Sequence, residues 1–177
     1  MGVLSRLVAA AGVLLVVAAV GSVTYVKVTG LRSQPDPGPL ETRLARTVRG
    51  LAVPSDIKSM ASPVATSSEA MLTGMRHFAR YCALCHGNDG GGQGTAYGRG
   101  FFPKAPDMKS AATQRLTDGE LFYIIENGVR FTGMPAFGTG TADPKGETLV
   151  WQLVQFIRHL PDLTADEMAE MESLNVL

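Results

Sequence analysis

The sequence predicts an all-α protein: one apolar helix at the N-terminus, a linker, and a helical domain that fills the rest of the chain. Three observations carry this. Leu149, Leu153, Phe156, Ile157 and Leu160 recur at helical spacing. Thr66 with Glu69, Thr117 with Glu120, and Thr164 with Glu167 each read as the reciprocal cap that opens a helix. No strand-like alternation of useful length occurs anywhere. The divisions fall at residues 1–29, 30–66 and 67–177.

From Leu7 to Val26, twenty residues carry no charge and are rich in Val, Ala and Leu, the length of helix that crosses a bilayer core. A cleaved signal peptide has a shorter apolar run closed by a small-residue site. Ala19-Val20-Gly21 is a weak site of that kind, and apolar residues continue past it through Val23, Tyr25 and Val26. Residues 1–29 therefore read as an uncleaved signal anchor and single transmembrane helix. Flanking charge does not orient it, because Arg6 and the terminal amine face Lys27 and Arg32 across the span.

Residues 30–66 are rich in Pro, Ser and Thr and read as a linker with one interruption. Leu40, Leu44, Val48 and Leu51 share one face of a short helix, with Arg43, Arg46 and Arg49 opposite. A basic amphipathic helix of this kind suits an anionic lipid surface or a partner subunit. Alone it would be marginal. As a free coil the linker would span roughly 30 Å end to end.

The first domain helix, expected to start from Thr66, runs into Cys82-Ala83-Leu84-Cys85-His86. Cys-x-x-Cys-His is the attachment site of a c-type haem. Two thiols one helical turn apart form thioethers to the porphyrin, and the following histidine supplies an imidazole nitrogen to the iron. A zinc site would want two further Cys or His ligands, and Cys82 and Cys85 are the only cysteines. A thioredoxin-like dithiol would sit near a βαβ pattern, and none is visible.

Between His86 and Thr113 lie twenty-odd residues with little periodicity, a length that needs explaining in a small domain. Wrapping a haem edge explains it. A carbonyl in this loop, that of Pro103 or Pro106, is expected to accept the second ring N–H of His86 and fix its tautomer. The middle helix starts from Thr117 and stops at Asn127-Gly128, with Leu121, Ile124 and Ile125 facing inward. In Thr132-Gly133-Met134-Pro135, the glycine and proline keep Met134 out of a helix, as a thioether reaching iron requires. Met71, Met75, Met168 and Met171 read as helix-face fillers. Met108, on a loop after Pro106, is the one rival to Met134; His77 and His159 read as surface or core residues. Asp143-Pro144 opens the C-terminal helix and Pro161 closes it.

Taken together, residues 67–177 resemble a class I monohaem cytochrome c domain of the bacterial, membrane-associated sort. The resemblance rests on Gly74 and Phe78 before the haem motif, the glycine-rich stretch Gly87 to Gly94, and Pro103-Lys104-Ala105-Pro106-Asp107. It continues through Leu116 to Leu121, Asn127 to Ala136, and a last helix holding Trp151 and Phe156. It implies a helical domain wrapped around one covalent haem c, with His86 and Met134 as axial ligands. It also implies that Gly74 lets the first and last helices cross closely, near Leu153 and Phe156. Haem ligation outside the cytoplasm puts the domain on the periplasmic side of a bacterial cytoplasmic membrane.

The net charge of zero conceals an asymmetry: residues 1–66 hold seven Lys or Arg against three Asp or Glu, and residues 67–177 hold nine against thirteen. The folded domain lacks the basic excess that phosphate contacts need, which argues against nucleic-acid binding. One-electron transfer follows from the resemblance, with redox proteins in or at the membrane as partners. Arg76, Arg80, Arg99, Lys104, Lys109, Arg115 and Arg130 are candidates to ring the haem edge and steer an acidic partner, with Arg99 and Arg130 the better propionate candidates. With both axial positions filled the chain is expected to carry electrons rather than catalyse. It would do so either as a tethered shuttle or as an integral subunit of a larger oxidoreductase. The alternative is a gas sensor or peroxidase whose Met134 dissociates.

Overall fold

The computed structural model describes residues 2–33, 35–140 and 143–175, and all regular structure among them is helical. The contacts divide the chain into two units, Met1–Ser33 and Gln34–Leu177.

The first unit is helix α1, Val3–Thr29, long and apolar enough to cross a membrane. Two hydroxyl side chains in its C-terminal half turn back on the helix: Ser22 Oγ donates to the Ala18 carbonyl at 2.8 Å and Thr29 Oγ1 to that of Tyr25 at 2.7 Å. Polar groups satisfied within the helix are what an apolar surrounding demands. Gly30, at φ 70°, ends the helix.

The second unit begins with α2, Pro39–Ala52, whose proline sits in the first turn where its missing N–H costs nothing. A single turn, α3 (Ser55–Lys58), follows. Residues 53–64, read as part of a linker, are packed on the domain. Val53 is buried, and Ile57, Met60 and Val64 lie against the core. Thr117 Oγ1 donates to the Lys58 carbonyl at 2.7 Å, and Gln155 Nε2 donates to that of Val64 at 2.9 Å. A free coil is therefore not what this part of the linker forms; four spaced apolar side chains and these hydrogen bonds hold it down.

The haem-motif helix starts one residue later than the sequence suggested. Ser67, not Thr66, is the cap, its hydroxyl accepting the Ala70 N–H at 3.1 Å. Helix α4, Ser68–His77, passes through a wide turn, Phe78–Cys82, into α5, Ala83–His86. Short α6 (Ala96–Gly100) and α7 (Ala111–Gln114) interrupt the long loop. Helix α8, Asp118–Asn127, has the expected reciprocal Thr117–Glu120 cap and stops at Gly128, φ 65°. It buries Leu121, Phe122 and Ile125, while Ile124 stays half-buried.

Asp143-Pro144 forms a separate tight turn, Pro144–Gly146, and the helix proper, α9, is Thr148–His159. Helix α10, Ala165–Leu174, carries the expected Thr164–Glu167 cap. Helices α4 and α9 cross at the centre, where Phe78 meets Phe156 at 5.2 Å between ring centroids. Beside them Trp151 stacks on Phe122 at 4.3 Å and donates its Nε1–H to the Pro144 carbonyl at 2.8 Å. Arg158 ties the far end together, bonding Asp118 and the Gln114 and Leu116 carbonyls.

Candidate cofactor site

Cys82, Cys85 and His86 come together because the wide turn and α5 continue one helical run from α4. Burial, and secondarily the neighbouring Cys85, pushes the Cys82 thiol up to about 12, and burial raises Cys85 as well. A redox dithiol needs the opposite, a thiol held low enough to ionise. Nor do three His, Cys, Asp or Glu side chains among the described residues gather in a way that would hold a metal ion. These are neutral thiols with one imidazole beside them, a donor set that fits thioether attachment of a haem and not a zinc or dithiol site.

His86 is 8% exposed. Burial lowers its pKa and the Pro106 carbonyl, acting as a hydrogen-bond acceptor, partly opposes this. The net effect favours the neutral imidazole, the form that ligates iron. Its Nδ1 is buried without a hydrogen-bond partner among the described residues. Both Pro103 and Pro106 are exposed, and of the two only the Pro106 carbonyl bears on the His86 pKa.

The loop after His86 is bound to the motif by backbone contacts that only small residues permit. Gly92 N–H donates to the His86 carbonyl at 2.7 Å, and Thr95 Oγ1 to that of Cys85 at 3.1 Å. A Cβ on Gly98 would stand 1.9 Å from the Gly92 oxygen, and one on Gly92 would stand 2.3 Å from the Ala105 oxygen. Side chains there would force the Pro106 segment off His86. Sequence reasoning singled out the glycine-rich stretch but missed Thr95 and Gly98, whose role is visible only once the loop folds back.

Met134 lies on a loop held to the end of α8. The Val129 N–H donates to the Met134 carbonyl at 3.1 Å, the Met134 N–H to Thr132 Oγ1 at 3.1 Å, and the Phe137 N–H to the Ile125 carbonyl at 3.0 Å. The Phe101 ring covers Gly133, so a Cβ there would stand 2.6 Å from Cδ1. Phe101 thus joins the loop after the haem motif to the methionine loop, a contact that no sequence signal announced. Met134 is half-buried against the core cluster that contains Phe78 and Ala83. Met108 is instead buried within that cluster at 8% exposure, beside Gly90, with its carbonyl bonded by Gln114.

The other candidates separate. His77 packs on Tyr81 at 4.5 Å, and His159 Nε2 pairs with Glu167 at 2.9 Å. Arg99 donates to the carbonyls of Gln93 and Gly94 at 3.1 and 3.2 Å, while Arg130 is exposed outside these contacts. Among the proposed basic ring, Arg76 pairs with Glu170, Lys104 with Asp36 and Lys109 with Asp89. Arg115 turns toward α2.

One family model, described as cytochrome C oxidase, cbb3-type, subunit III, matches residues 69–157, a stretch that begins in α4 and ends in α9. Among curated proteins, none matches the chain.

Proposed function

The chain belongs to the cytochrome c oxidase, cbb3-type, subunit III family, and on that premise we propose that it is a membrane-tethered electron carrier with its haem iron between His86 and Met134. The coarser statement needs no proposal: this is a c-type cytochrome domain with covalent haem c, and electron transfer is its work. Haem c supplies a one-electron ferric/ferrous couple. Cys82 and Cys85 would hold its edge, and His86 would offer a neutral nitrogen, its orientation steadied by the Pro106 carbonyl once the ring N–H bonds to it. Met134 would offer a thioether from a loop braced by Phe101 and Thr132. The core of Phe78, Phe156 and Leu153 excludes water behind the site. The observation that carries the reading is the placement of Cys82, Cys85 and the buried His86 on one helical run within the family-matched stretch.

With α1 as tether, and because haem is ligated outside the cytoplasm, the domain would lie on the periplasmic side of a bacterial cytoplasmic membrane, serving a membrane oxidoreductase as its haem subunit or as a shuttle that docks on it. The chain itself is not expected to catalyse, since both axial positions would be filled. Serine at both Cys82 and Cys85 should abolish covalent haem, read by peroxidase staining of a denaturing gel; haem retained on the double variant would overturn the attachment. Purification in mild detergent tests the partner: co-purifying oxidase subunits identify a resident subunit, and a chain travelling alone identifies a shuttle.

A further inference from the structure

We propose that α2 is an interfacial helix that lies on an anionic lipid surface through Leu40, Leu44, Val48 and Leu51. These four side chains share one arc of the helix. Each is more than half exposed, from 56% at Val48 to 81% at Leu51, and α2 buries no residue at all. The opposite face is the one turned toward the domain. Arg46, Arg49 and Gly50 line a cavity of about 310 Å³ with Val53, Arg115 and Glu120. A helix on a water-soluble domain normally does the reverse, apolar face inward. Here the polar face turns to the domain and four aliphatic side chains turn outward, an arrangement that suits an apolar medium on the other side.

Two observations favour lipid as that medium. Only nine residues separate Thr29, the end of the apolar helix α1, from Pro39, the start of α2. Fully extended they reach at most about 30 Å, so on the tethered reading α2 never leaves the neighbourhood of the bilayer. That argument rests on the proposed anchor; the outward apolar face does not. The charge also suits: Arg43 is exposed at the flank of the apolar arc, where a cation meets anionic headgroups. The contacts of residues 53–64 with α8 and α9 then carry the helix's position on the lipid to the haem domain.

The test uses the full-length haem-loaded chain, in which thioethers occupy both native thiols. A single cysteine is introduced as Leu44→Cys, Val48→Cys or Val16→Cys and spin-labelled. Each is placed in bilayers of phosphatidylcholine alone, or of phosphatidylcholine with phosphatidylglycerol. Collisions with oxygen report lipid and collisions with a nickel chelate report water. The expected result is that labels at 44 and 48 are shielded from the chelate severalfold more in phosphatidylglycerol bilayers than in phosphatidylcholine, with Arg43→Gln reducing the shielding. Labels at 44 and 48 open to the chelate in both bilayers would overturn the inference. Shielding seen only in native membranes would overturn it too, in favour of a protein on that face. The label at 16 keeps the two readings apart: shielded at 16 but open at 44, the anchor stands and the interfacial helix falls. Should intact mass show that α1 has been removed, binding of the processed chain labelled at 44 to the same two vesicles decides the inference alone.

Discussion

Gly74 and Gln152 touch backbone to backbone: a Cβ on Gly74 would stand 2.2 Å from the Gln152 carbonyl oxygen and 3.2 Å from the Phe156 Cβ. No rotamer relieves such a clash, because the obstacle is main chain on both sides. Gly74→Ala is therefore expected to push α4 and α9 apart and cost at least about 2 kcal/mol, in the range of overpacked cores. Thermal unfolding followed by helical circular dichroism checks this. A change below about 0.5 kcal/mol, typical of a surface site, would show that the crossing is looser than the structure has it.

Met134→Ala and Met108→Ala should part ways. The first is expected to remove the near-infrared band of methionine-ligated ferric haem and lower the reduction potential, since a thioether favours the reduced iron. The second should keep the band and instead destabilise the fold by about 2–5 kcal/mol, because Met108 is buried in the core cluster. Loss of the band in Met108→Ala alone would mean the ligand has been misassigned.

Phe101 lies across Gly133, and its removal loosens the methionine loop on one side. Phe101→Ala is expected to let carbon monoxide bind the reduced protein in native conditions, where the unaltered protein binds little. Equal and negligible binding in both would show that the α8 contacts of the loop suffice without the ring.

Glu120 accepts from Lys58 at 2.8 Å and from the Thr117 N–H at 2.8 Å. Burial alone would raise its carboxyl, but these bonds outweigh it and the pKa falls below the ordinary 4.5. A carboxyl lowered on folding stabilises the native state fully above its unfolded value, and that contribution is lost as pH drops through the folded one. Glu120→Gln should thus cost about 1–2 kcal/mol near neutral pH, with the gap to the unaltered protein closing below about pH 4.5. Urea titrations at pH 7 and pH 3.5 measure it; a gap that does not change with pH would assign the effect to packing.

What could be read in the sequence was local. The caps at Thr117 and Thr164 each need a partner only three residues away, and both form as expected. At Thr66 three hydroxyl residues, Thr66, Ser67 and Ser68, stand in a row, and the spacing to Glu69 favoured the wrong one; Ser67 takes the cap. The wide turn at Phe78–Cys82 left no trace in the pattern; it begins at Phe78, which is buried against Phe156. The hold of residues 53–64 was hidden for a similar reason. Ile57 meets Gly119 and Val64 meets Gln155, partners about sixty and ninety residues away. In the site, Cys82, Cys85 and His86 were legible because the chemistry is written in adjacent residues. Phe101 and Gly98 were not, since their work depends on a loop returning to its own origin.

The packing of residues 53–64 also bears on how the protein can be cut. The stretch with the family's sequence pattern starts at residue 69, and a chain trimmed to that border would keep Cys82, Cys85, His86 and Met134. It would also uncover the seats of Ile57, Met60 and Val64, leave the Gly119 surface bare and take Lys58 from Glu120. Such a fragment should spectrally resemble its parent yet melt earlier and aggregate through the bared patch. A border before Val53 avoids this. The smallest piece that looks like a cytochrome and the smallest piece that behaves as one are thus different lengths of chain.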